Sequence, residues 1–228
     1  MAKRRKKTHT AKSRKKKGNG YKLVIWGMIP VGIIAFVFFW YVADTKEETP
    51  QHFRKLIPEG YASVGIDVSH HQGTIDWEEL FVEKGFDTLI DFVYCKATEG
   101  SDHLDTQWER NREELNDMGV LNGAYHYFST KKPPRPQAAH FLKYWNEREI
   151  DLPPALDVEE EGFSDEDLIA KMKIWLTEVE RISGRRPIIY TSLSFYETKF
   201  RNQFPGYKFW IAAYSREPQY MTDQDVIH

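Results

Sequence analysis

From about residue 61 onward, short apolar runs alternate with longer amphipathic stretches. The runs at 64–68, 92–97, 121–128, 155–158, 187–191 and 209–214 have the length and the β-branched and aromatic content of buried strands, and helices are expected between them. The clearest helix starts at Ser164: Ser164 and Asp167 resemble a capping box, Leu168, Met172, Trp175, Val179 and Ile182 form an apolar stripe, and Gly184 supplies the stop. A second helix, from about Thr106, carries Trp108, Leu115 and Met118 and stops at Gly119. Strand and helix in alternation predict an α/β fold with a parallel sheet closed or nearly closed into an irregular, TIM-type (β/α) barrel. Chemistry in such folds sits at the C-terminal ends of the strands.

Ahead of this region the pattern changes. Residues 23–43 form an uncharged run of 21 residues, which as a helix at about 1.5 Å per residue spans about 31 Å, enough to cross a bilayer's hydrocarbon. Trp26 lies near one end and Trp40 and Tyr41 near the other, as an aromatic belt would. Residues 1–22 hold eleven Lys or Arg and no acid, so the net charge of -2 conceals a basic tail joined to a strongly acidic remainder. The positive-inside rule then keeps 1–22 in the cytoplasm and places everything after Asp44 across the membrane, on the periplasmic or extracellular side. The run is too long for a typical signal-peptide core and ends in Tyr41-Val42-Ala43, with Tyr where a small residue is wanted, so an uncleaved anchor is expected. Without interleaved aromatics, the basic tail points to anionic lipid head groups and not to nucleic acid. Residues 44–60 read as a polar stalk and 61–228 as one domain, expected to act as a monomer. Cys95 is the single cysteine, so no intramolecular disulfide can hold that domain and its core must suffice.

Polar motifs fall at the ends of the apolar runs. The segment Leu-Asp-Val-Glu sets Asp157 and Glu159 two residues apart, so that Leu156 and Val158 enter a core while both acids share the other face. Two acids on one face repel, which raises the pKa of one, and a proton donor beside a charged partner is what glycosidic bond cleavage requires. A structural reading stands beside this: one acid caps a helix and the other meets a Lys or Arg. Strand one ends in Gly65-Ile-Asp-Val-Ser-His-His-Gln-Gly73, with Asp67 after the apolar run and Gly73 allowing a tight turn. Strand two ends in Lys-Ala-Thr-Glu-Gly, where Glu99 could pair with Lys96. Tyr125, Tyr127, Tyr190, Trp210 and Tyr214 are either core aromatics or sugar contacts. His70, His71 and His126 with Asp157 and Glu159 do not make a metal site, because no ligand spacing is present and adjacent histidines point apart on extended backbone. No cofactor is implied.

Taken together and in order, the Asp-x-Ser-x-x-Gln-Gly opening, Lys-Ala-Thr-Glu-Gly, Gly-Ala-Tyr-His, Leu-Asp-Val-Glu and Trp-Ile-Ala-x-Tyr resemble glycoside hydrolase family 25, the lysozymes that cleave peptidoglycan as N-acetylmuramidases. The resemblance covers nearly all of the outer domain. It implies Glu159 as general acid, Asp157 as the group that orients or stabilises the 2-acetamido group or the developing cation, and Asp67 in the same acidic cluster. It implies Tyr125, Tyr127, Glu99, Tyr190, Trp210 and Tyr214 as substrate contacts. The partner would be peptidoglycan glycan strands, cut at the β-1,4 bond between N-acetylmuramic acid and N-acetylglucosamine. The alternative is a domain that binds wall glycan, or recruits wall machinery, without hydrolysis. Three departures from the family pattern stand out: the longer segment between Gly85 and Lys96, the shifted His103-Leu104-Asp105, and the end at His228, where the family continues into further strands. The last makes the 61–228 domain an expected fragment.

Overall fold

The computed structural model describes residues 63–145, 150–212 and 226–227. The expected basic tail (1–22), membrane helix (23–43) and stalk (44–60) lie outside these residues, as does Tyr214. Among the described residues no helix is long and apolar enough to cross a membrane.

The strands in chain order are β1 (Gly65–Val68), β2 (Phe92–Glu99), β3 (His103–Leu104), β4 (Leu121–Tyr127), β5 (Ala155–Val158), β6 (Ile188–Ser192), β7 (Phe209–Ala212) and β8 (Val226–Ile227). All but β3 form one curled, parallel half-barrel sheet in the order β1-β2-β4-β5-β6-β7-β8, and β3 folds back antiparallel on the end of β2. The six expected strands all form, with ends shifted by no more than two residues. The connection before Lys96 contains a 3₁₀ turn, Phe86–Thr88, and β2 then pairs in register with β1 from Phe92 beside Gly65. β3 and β8 were not in the sequence expectation, being two residues each and too short to show a period.

Among the described residues three helices of ten or more residues pack with the sheet: α1 (Trp108–Asp117), α2 (Pro134–Tyr144) and α3 (Asp165–Ser183). In α3 the Ser164 side chain accepts from the Asp167 N–H, and Gly184 ends the helix at φ 69°. Leu168, Met172, Trp175 and Val179 are buried as the stripe predicts, but Ile182 is half exposed. The buried face is turned toward the side of the stripe opposite Ile182, where Leu176 and Ser183 are buried in its place. In α1, Trp108 and Leu115 are buried while Met118, just past the last turn, reaches solvent.

The sheet's two faces take alternate residues of each strand. Val93, Cys95, Ala124, Leu156, Val158, Ile189, Phe209 and Ile211 pack in the hydrophobic core, with Trp175 and Phe141 from the helices. The opposite, concave face carries the partners of the register: Asp67 beside Tyr94, Lys96 beside Tyr125, Tyr127 beside Asp157, and Asp157 beside Tyr190. Two glycines make room on this face. A Cβ at Gly65 would stand 2.0 Å from the Phe92 ring, and one at Gly123 would stand 2.4 Å from the Tyr94 ring. Absence of a side chain at each lets an aromatic ring lie across the narrow end of the half-barrel.

Candidate active site

Asp157, next to last in β5, lies on the concave face with only 7% of its surface exposed, and its Oδ1 has no hydrogen-bond partner among the described residues. Burial pushes its carboxyl well above the usual aspartate range, and the nearby Glu159 and Asp67 push further. Glu159 follows half-buried at the strand's end, where burial and then Asp67 raise its carboxyl too. Asp67 opens to solvent across the groove, yet the protein around it strips enough water to raise it, an effect its own backbone N–H partly offsets. Three carboxyl groups thus share a face on which ionising one raises the cost of ionising the next. Leu156 and Val158, fully buried on the other face, fix which way the two acids of β5 point.

Among the described residues, Lys96 answers these acids. Lys96 Nζ donates to Glu99 Oε2 at 2.7 Å and sits 4.8 Å from the centre of the Tyr127 ring. Its side chain is 6% exposed, and its charge draws both Asp157 and Glu159 downward. The Glu99–Lys96 pairing is the structural reading of that motif, and it is present. Lys96 itself was absent from the sequence candidates.

The expected aromatic contacts divide into two groups. Tyr125 and Tyr127 border the acids; Tyr125 has Ser69 as a hydrogen-bond partner, and burial followed by the charges of Asp67 and Asp157 holds its phenol protonated. Tyr127 is held protonated by burial and then by Asp157, Glu160 and Glu159. Tyr190 and Trp210 pack edge to face at 5.0 Å, and Trp210 meets Tyr94 at 5.5 Å. Tyr94 was not among the candidates; it is buried and donates to the Pro153 carbonyl at 2.9 Å, so this trio forms the groove's aromatic floor.

Two histidine features depart from expectation. His70 and His71 do not point apart on extended backbone: they occupy a 3₁₀ turn, His70–Gln72, capped by Ser69, and their rings lie 4.0 Å apart. The shifted Asp105 explains the turn, since its Oδ2, with the side chain 1% exposed, accepts from the His70 N–H at 3.0 Å and lies 2.6 Å from His70 Nδ1. His126 faces the helices, away from Tyr125 and Tyr127, so it cannot join the acids. It contacts Thr98 Oγ1 and Gln137 Oε1 through its two ring nitrogens and stacks on Trp175 at 5.4 Å. Among the described residues no group of three or more His, Cys, Asp or Glu could hold a metal ion.

Comparison with known proteins locates this arrangement. The profile described as Glycosyl hydrolases family 25 matches residues 66–227. The uncharacterized protein YegX of Escherichia coli (strain K12) is 38% identical over 163 residues, which are 71% of this chain and 60% of that protein. Lysozyme M1 of Streptomyces globisporus is 28% identical over 166 residues, 65% of this chain and 53% of that one. Among solved structures, a family 25 glycosyl hydrolase from Bacillus anthracis matches with a TM-score of 0.64 at 28% identity, covering 71% of this chain and 75% of that one. A muramidase from Acremonium alcalophilum matches with a TM-score of 0.60 at 27% identity, covering 68% and 79%. The chain spans about 60% of the length of the first of these curated relatives.

Proposed function

The chain belongs to glycosyl hydrolase family 25, and on that premise we propose that it hydrolyses peptidoglycan at the β-1,4 bond between N-acetylmuramic acid and N-acetylglucosamine. The observation that carries this reading is the pair of β5 acids, both raised by burial, on the open face of a sheet whose other face is sealed. Glu159, half-buried and facing the groove, donates its proton to the leaving oxygen. Asp157, whose Oδ1 has no partner among the described residues, receives the substrate's 2-acetamido group or the charge that develops at the anomeric carbon. Asp67 adds negative potential from the other wall. Tyr125 and Tyr127, kept protonated, offer hydroxyl donors to sugar oxygens, and Glu99 and Tyr190 line the same face. Similarity to Lysozyme M1 and to solved muramidases supports the substrate class.

The test is product chemistry. Purified peptidoglycan treated with the full chain and then reduced with borohydride should yield muramicitol as the new end. Glucosaminitol would assign the other linkage, and no new ends at all would leave a glycan-binding role without hydrolysis.

The sequence also supports an inner-membrane anchor at residues 23–43, with the basic tail inside on anionic lipid and the hydrolase outside. Protease added to spheroplasts should digest the outer domain and spare the tail. A protected outer domain would reverse the topology and remove the wall from reach.

A further inference from the structure

In a regular strand, residues three apart point to opposite faces. Lys96 and Glu99 are three apart on β2, yet their charges meet at 2.7 Å. The register against β4 shows how. Lys96 pairs with Tyr125, but the next pair is Thr98 with His126, so Ala97 is an extra residue and the alternation inverts there. Beyond the bulge Thr98 turns to the helices, where its Oγ1 meets His126 Nδ1 at 2.8 Å, and Glu99 turns to the groove. The register shift thus delivers a carboxylate to Lys96 that a regular strand would have pointed away.

The result is an ammonium group held from two sides. Glu99 Oε2 grips it, the Tyr127 ring lies beneath it at 4.8 Å, and its side chain is 6% exposed. The ionisable groups around it come from every neighbouring element: Glu99 from β2, His71 from the preceding turn, Tyr125 and Tyr127 from β4, and Asp157 and Glu159 from β5. Asp67 of β1 acts on the same two β5 acids, and His126 feels the lysine through the sheet. A positive charge fixed beside clustered acids favours their ionised forms, and more strongly where water is excluded.

We propose that Lys96 is a positioning residue which, clamped by Glu99 across the bulge, sets the pH range over which Asp157 and Glu159 exchange their proton. The proposal rests on the hydrolase reading for its kinetic consequence and not for its physical one. Without this charge both acids would hold their protons to higher pH, and the pH range of the reaction would follow them.

The test compares the full chain with Lys96→Met, Lys96→Gln and Lys96→Arg. The side-chain carboxyl ¹³C resonances of Asp157 and Glu159 are followed across pH, and reducing-end release from peptidoglycan is measured over the same range. In Lys96→Met both titration midpoints should move to higher pH, and the rate optimum should move with them. Lys96→Arg should keep both near the wild type. Lys96→Gln, still able to donate to Glu99, should shift as Met does and serves if the Met variant does not fold. Midpoints unmoved in the neutral variants, or moved as far by Arg as by Met, would overturn the assignment; a lysine that only braces the fold would lower the melting temperature without moving them. If the midpoints move but no variant, wild type included, releases reducing ends, the hydrolase reading fails while the role of Lys96 stands.

Discussion

His126 and Asp157 are both buried titratable residues on adjacent strands, and they face opposite ways through the same sheet. On the helix side, His126 has a partner at each ring nitrogen and a stacked indole, and burial pulls its pKa down to about 3, so it is a neutral part of the core. On the groove side, Asp157 has an oxygen with no partner among the described residues and two other acids nearby, so burial and then those acids raise its carboxyl. Burial is common to both; satisfaction is not. A buried titratable group with a partner at each polar atom contributes stability, whereas one left with an unpartnered oxygen costs stability and keeps it ready for a ligand.

Substitutions can break this contrast at several depths. The largest effect belongs to Glu159→Gln, which removes the proton donor and little else. Reducing-end release should fall by about a hundredfold or more, with the melting temperature nearly unchanged. Near-normal turnover would remove Glu159 from its role. Next is His126→Ala, which empties a core site and strands Thr98 and Gln137, costing on the order of 3 kcal/mol in denaturant unfolding at pH 7. Because the folded pKa of His126 is depressed, the stability tied to its neutral form is present above about 6.5 and is lost as pH falls toward about 3. The gap between wild type and His126→Ala should therefore narrow in acid, and a constant gap would show that the histidine's charge state is irrelevant. Smaller still is Gly123→Ala, whose Cβ would stand 2.4 Å from the Tyr94 ring. Displacing that ring should cost about 1–3 kcal/mol and loosen Trp210 behind it, raising KM more than it lowers kcat. A neutral result would mean the aromatic floor is free to shift.

Much of this was legible in the sequence because parity along a strand is legible. Leu156 and Val158 inward, Asp157 and Glu159 to the groove, follows from a period of two, and the capped α3 follows from Ser164 and Gly184. What could not be read was anything that depends on register between strands. The Glu99–Lys96 pairing was open to the sequence, but the bulge at Ala97 that brings the two to one face exists only relative to β4 and was not. Tyr94 was obscured in the same way, since its place over Gly123 is a cross-strand contact. The paired histidines were misjudged because Ser69 and Gln72 close a local capping box that winds the chain into a turn, and because Asp105, 35 residues away, holds His70 in it.

The most direct measurement is the stability of Asp157→Asn as a function of pH. The folded-state pKa of Asp157 is raised, so its protonated form stabilises the fold at low pH, and that contribution is lost as pH rises from about 4 through the folded value. Asparagine keeps the shape and cannot ionise. The variant should be more stable than wild type near neutral pH, with an advantage that grows by up to about 1.4 kcal/mol per pH unit across the window and vanishes in acid. A variant less stable than wild type at neutral pH, or an advantage that does not change with pH, would contradict the claim that the groove face gives up stability to bury Asp157 with an unpartnered oxygen.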